Sequence, residues 1–187
     1  DADEAWIESQ MGQPFERPTG SSVGQIIADR SGLDAYMNWL ETLVPERLEG
    51  LTIAVDAANG AACELGPEIF RRLGAKVIST GTAPDGMNIN EQGGATKPEA
   101  VQKLTEDTHA DLGIAFDGDA DRAVFSDHLG RLVNGDRTMA IWSSHWRDQL
   151  EPRVVVGTVM SNMGFEAYLT EQGIELVRAA VGDKYVS

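Results

Sequence analysis

The chain has a single cysteine, Cys63, only three histidines, and half as many basic as acidic side chains, 15 Lys and Arg against 30 Asp and Glu. Each shortage excludes something. One cysteine cannot close an internal disulfide, which fits a reducing compartment, and near an expected helix start Cys63 reads as a small buried hydrophobe rather than a nucleophile. His109, His128 and His145 stand at no ligand spacing and read as surface residues. A net charge of −15 argues against nucleic acid or an anionic membrane as partner, since both select for Lys and Arg. A small phosphorylated ligand remains compatible, because it needs only a local positive pocket. No apolar run approaches the length of a membrane span. The acidic start Asp1-Ala-Asp-Glu4 also lacks the basic beginning of a signal peptide and an initiator methionine, so the expectation is a cytoplasmic protein represented by an excised piece.

Against these absences, 42% of the residues are hydrophobic, enough for a sizeable core, and they fall into alternating strand and helix patterns. Residues 1–10 predict a short acidic helix and 11–22 a polar linker. Ser31 with Asp34 resembles a capping box, ahead of a stripe of Tyr36, Trp39, Leu40 and Leu43 expected in the core and stopped by Pro45. Residues 51–55 predict a strand, Leu65, Ile69 and Leu73 a helix face ending at Gly74, and 75–78 the next strand. After a loop over 83–95, Thr96, Pro98 and Glu99 predict a helix start, and 112–116 a strand. Residues 123–126 and 131–133 predict a hairpin. A second series follows Asn134-Gly135: helix 136–149, strand 153–157, helix 163–172, strand 174–178. Asn59 with Gly60, and Ser161 with Asn162, are expected to shape turns and cap the helices after them. The fold class expected is α/β, a mixed but mostly parallel sheet layered with helices over residues 1–134, then the beginning of a second similar α/β domain over 135–187.

The strand at 112–116 runs directly into Asp117-Gly-Asp-Ala-Asp-Arg122. Open α/β sheets place ligands at such strand ends. In an extended chain Asp117 and Asp121 would stand roughly 13 Å apart, at ~3.3 Å per residue, so they reach one ion only if the backbone curls. Gly118 and Ala120 permit that curl. Three converging carboxylates repel one another unless a cation is bound, and their hard oxygens suit Mg²⁺, Ca²⁺ or Mn²⁺ better than zinc. An EF-hand is excluded, because the loop would need Gly at Arg122 and Glu at His128. Arg122 can offset the surplus negative charge, pair with an aspartate, or reach a phosphate with its planar fork.

This loop resembles the metal loop of the α-D-phosphohexomutases. The resemblance continues in Val55-Asp-Ala-Ala-Asn-Gly60, Asn88-Ile-Asn90, Gly157-Thr-Val-Met-Ser-Asn-Met-Gly164 and Val181-Gly-Asp-Lys-Tyr-Val186, in order along nearly the whole chain, with the last two pointing to the branch that acts on glucosamine phosphates. It implies the second domain of a four-domain mutase followed by the start of the third. It further implies Mg²⁺ on Asp117, Asp119 and Asp121, Arg122 facing the transferring phosphoryl group, and Gly182, Asp183 and Lys184 near a phosphosugar. Lys184 stands where the family has arginine. The family's phosphoserine motif, Ser followed by His-Asn-Pro, does not occur here. The chain alone is therefore expected to be inactive, with the parent's other domains as partners and a homodimer of the parent compatible with the resemblance.

Three other readings stand beside it. Another phosphohexomutase, acting on glucose or mannose phosphates, would carry the same loop. A haloacid-dehalogenase-like phosphatase would use Asp117 as nucleophile in Asp-x-Asp, but usually has Thr or Val where Asp121 stands. A non-catalytic divalent-ion module would use the loop only for stability.

Overall fold

The structure, a computed structural model, describes residues 2–186, with the side chain of Asp183 outside the described residues. Two compact units divide between Tyr36 and Met37. In the first, the acidic start forms helix α1 (Ala2–Gln10) with no buried residue, and the linker holds a single 3-10 turn at Gly20–Ser22. Helix α2 (Ser31–Leu43) includes the division. Ser31 is its first residue, not its cap: Asp29 accepts the Ser31 N–H at 2.8 Å. The expected core stripe is corrected too. Of the four, Leu40 is partly buried but Tyr36, Trp39 and Leu43 are about half exposed, whereas Met37 is buried, so the inward face is rotated by about one residue, or ~100° of helix.

The second unit holds strands β1 (Thr52–Asp56), β2 (Lys76–Thr80), β3 (Leu112–Phe116), β4 (Ala123–Asp127) and β5 (Leu132–Val133) in the order β2-β1-β3-β4-β5. The first three are parallel and the last two add an antiparallel edge. Central β1 is buried on both faces, as parallel strands under helices are, and Ile53, Val55, Ala75 and Ile114 form the core with Phe70, Phe116 and Phe125 against it. Helices α3 (Leu65–Arg72) and α4 (Glu99–Thr108) make the crossovers. Gly113 lets α4 lie close on β3: a Cβ there would come within 2.1 Å of Thr105 Oγ1. Pro98, not Thr96, is the residue ahead of α4, and no side chain caps that end. Cys63 is half-buried.

A separate two-stranded parallel sheet follows, β6 (Val154–Thr158) beside β7 (Glu175–Ala179), with α5 (Gly135–Trp146) before it, α6 (Met163–Glu171) as the crossover and α7 (Asp183–Val186) after it. Phe165, Leu169 and Ile174 form its own small core. Asn162 caps α6 as expected, accepting from the Phe165 N–H at 2.8 Å. Both outer strand edges are unpaired among the described residues, and Trp142, Trp146, Val156 and Val177 stay substantially exposed. A two-stranded sheet with so little buried surface opens more readily than a five-stranded one. Hydrogen exchange on the monomer should show weaker protection in β6 and β7 than in β1 and β3. Equal protection would contradict this.

No helix among the described residues is long and apolar enough to cross a membrane.

Candidate metal centre

Register places the aspartates. Phe116 at the end of β3 pairs with Ala123 at the start of β4, so residues 117–122 are the connection of an antiparallel hairpin at the C-terminal edge of the parallel strands. The connection folds back on itself: Ala120 N–H donates to Asp117 O at 3.1 Å, Asp117 N–H to Arg122 O at 3.2 Å, and Ala120 takes a left-handed φ of 62°. That supplies the curl which the extended spacing required. One carboxylate oxygen from each of Asp117, Asp119 and Asp121 lies within 4.8 Å of the others.

The three are unequal. Asp117 is fully buried, while Asp119 and Asp121 are exposed. Arg122 closes over Asp117, its backbone N–H reaching Oδ1 at 3.0 Å and its Nε reaching Oδ2 at 2.8 Å, with a further bond from Nε to Asp121 Oδ1 at 3.2 Å. Burial pushes the Asp117 carboxyl up, but the Arg122 N–H, guanidinium hydrogen bonds and charge outweigh it, so the net direction is down. Asp119 goes the other way. Its own backbone N–H favours the carboxylate, yet the charges of Asp121 and Asp117 prevail and hold its carboxyl above the ordinary value. The Arg122 side chain is itself 66% exposed, so the paired guanidinium still faces solvent.

Neighbouring turns brace the loop. Ala61 N–H donates to Gly118 O at 2.8 Å, and Ala95 N–H to Phe116 O at 2.9 Å. Gly60 packs so closely that a Cβ on it would meet Gly118 O at 2.2 Å. Asn59 does not cap α3, contrary to expectation. Helix α3 starts only at Leu65, and Asn59 instead donates to Asn88 O and accepts from the Ala83 N–H. Asp56, not singled out from sequence, is buried at the end of β1 and accepts from the N–H groups of Ala58 and Gly94. The clue was an acidic residue where a buried strand gives way to Ala-Ala-Asn-Gly.

The donor set fits a hard divalent ion. An ion with oxygens at about 2.1 Å spans at most ~4.2 Å between two of them, close to the separation limit seen here, and two of the three carboxylates are on exposed side chains. Among the other expected site residues, Gly182 has a φ of 132° and Lys184 is exposed, its ammonium 4.9 Å from the Tyr185 ring. The Asp183 side chain lies outside the described residues. Ser161 Oγ accepts from Thr158 N–H, and Arg178 grips the same turn through Ser161 O at 2.7 Å. His109, His128 and His145 are exposed, as expected.

This layered α/β fold has relatives among known proteins. The alpha/beta/alpha domain II of the phosphoglucomutase/phosphomannomutase family matches residues 34–130, and domain III matches 134–187. Phosphoglucosamine mutase of Streptomyces griseus subsp. griseus is 45% identical over 181 residues, covering 96% of this chain and 40% of that protein. Phosphoglucosamine mutase of Symbiobacterium thermophilum is 48% identical over 172 residues, covering 91% of this chain and 38% of that protein. A phosphoglucomutase/phosphomannomutase family protein of Burkholderia thailandensis aligns structurally with a TM-score of 0.69 at 25% identity, covering 82% of this chain and 34% of its own. The chain belongs to the phosphoglucomutase/phosphomannomutase family. It spans about two fifths of the length of the curated relatives it matches.

Proposed function

We propose that this chain is the central, metal-binding part of a mutase that interconverts glucosamine 6-phosphate and glucosamine 1-phosphate, an isomerase working through a phosphoserine and a sugar bisphosphate in the cytoplasm. The observation that carries the reading is the convergence of Asp117, Asp119 and Asp121 within 4.8 Å, in a chain whose relatives include phosphoglucosamine mutases at 45% identity. Residues 1–134 would then form domain II with its N-terminal linker, and 135–187 part of domain III.

Mg²⁺ held by the three aspartates would supply Lewis-acid polarisation of the transferring phosphoryl group. The chain's own residues do the rest of the local work. Asp117, buried and pinned by Arg122, fixes the loop; Asp119 and Asp121 face solvent and can adjust. Arg122 presents its guanidinium where negative charge develops and stabilises it there. Lys184, exposed two residues after Gly182, would meet a phosphate or hydroxyl of the sugar. Asp117 as a phosphatase nucleophile fits less well, because its carboxylate is buried and engaged by Arg122.

The test has two arms. The intact parent, given glucosamine, glucose and mannose 6-phosphates with Mg²⁺ and the matching bisphosphate, should turn over the glucosamine substrate most efficiently. A clear preference for glucose or mannose phosphate overturns the substrate assignment. The 187-residue chain alone should form no glucosamine 1-phosphate, since no Ser-His-Asn stands in it to carry the phosphoryl group. Sustained turnover by the pure chain would contradict the phosphoserine mechanism.

A further inference from the structure

We propose that Asn90 is a positioning residue for the aspartate loop: its side-chain amide, wedged between Gly118 and Gly94, fixes the peptide joining Asp117 to Asp119 at the spacing that binds a divalent ion. The inference rests on reading that loop as a metal site. Asn90 lies far from the loop in sequence and is anchored by its backbone N–H, which donates to Ala58 O at 2.9 Å. One end of the amide faces Gly118 so closely that a Cβ there would sit 2.6 Å from Nδ2, with Ile89 Cδ1 closing the same face at 2.8 Å. The other end faces Gly94, whose added Cβ would sit 3.0 Å from Oδ1.

Two unfavourable features meet at this residue. Its φ is 55°, in the left-handed region, and its Oδ1 is buried with no hydrogen-bond partner among the described residues. Asparagine is tolerated in that conformation mainly because its side chain can bond locally, and Asn90 shows no such bond. Glycine would make the same turn without steric cost and without burying an unpaired oxygen. The turn itself therefore does not require the amide. Strained, unsatisfied residues of this kind concentrate where a functional group must be held in place, and the group that Asn90 touches is the second residue of the aspartate loop.

The test compares the 187-residue chain with Asn90→Gly and Asn90→Ala, using Mn²⁺ as a paramagnetic probe. Titration followed by electron paramagnetic resonance reports affinity and the line shape of the bound ion; thermal melting without metal reports the fold. Both variants should bind Mn²⁺ more weakly, by about tenfold or more as for other residues that orient metal ligands, and with altered line shape. Their metal-free melting should diverge, Asn90→Gly standing above Asn90→Ala because glycine relieves the left-handed backbone. Wild-type affinity in either folded variant overturns the proposal, as would unfolding of both, which would make the amide a support of the whole chain. Failure of the underlying reading shows differently: the wild-type chain itself would bind no Mn²⁺, or Asp119→Ala would bind it equally well.

Discussion

Adding MgCl₂ to the 187-residue chain should raise its melting midpoint, and Asp119→Ala should abolish the rise. In the metal-free loop Asp119 faces two like charges that hold its carboxyl above the ordinary value, and a cation relieves that repulsion. An ion that binds only the folded state stabilises it by RT ln(1 + [L]/Kd), about 1.4 kcal/mol at ten times Kd. For a chain of this size that corresponds to roughly 3 to 6 °C. The affinity should be modest, since Mg²⁺ demands six oxygens in octahedral array and this chain offers three carboxylates, leaving water to complete the shell. Protons compete for the same oxygens, so the gain should shrink as pH falls from neutrality into the carboxylate range. The measurement is a melt with and without MgCl₂ against NaCl of equal ionic strength. An equal shift in wild type and Asp119→Ala would mean general screening and would remove Asp119 from the ligand set.

Much of this site was legible in the sequence because its residues are contiguous. Asp117 to Arg122 follow one another, the strand before them has a clear apolar pattern, and the hairpin after them closes at Phe116 and Ala123. The βαβ units were legible for the same reason, each helix and strand having its own local period. What escaped depends on contacts between distant segments. Asn90 and Gly60 pack against Gly118 across the fold, and no spacing rule links residues 60, 90 and 118. Asp29 rather than Ser31 meets the first N–H of α2, since a polar cluster offers several caps and backbone direction chooses among them. The α2 stripe failed differently: Met37 turned inward while Tyr36 and Trp39 remained exposed, and a helical period fixes which residues share a face but not which face is covered.

Gly60→Ala should cost the chain more stability than any single change at the exposed aspartates, although it adds only a methyl group. Gly60 has no unusual φ, so the backbone itself accepts alanine. The obstruction is a neighbour that cannot rotate away: the new Cβ would lie 2.2 Å from Gly118 O and 2.8 Å from Gly118 C and Cα, all backbone atoms. Carbon and oxygen pack no closer than about 3.3 Å, so the turn and the aspartate loop must separate by roughly 1 Å. That separation weakens the bond from Ala61 N–H to Gly118 O, now 2.8 Å. Overpacking of this kind costs about 1 to 3 kcal/mol and the weakened hydrogen bond about 1 more, together lowering the midpoint by roughly 5 to 15 °C. Gly135→Ala serves as the control. That glycine is the first residue of α5 with nothing within 4 Å of an added Cβ, so alanine there should be neutral or slightly stabilising. The Mg²⁺ response should also fall in Gly60→Ala, because Gly118 is displaced between two of the proposed ligands. Equal melting of the two variants would show that the loop yields freely at Gly118, and with it the claim that the Gly60 turn braces the aspartate loop would fall.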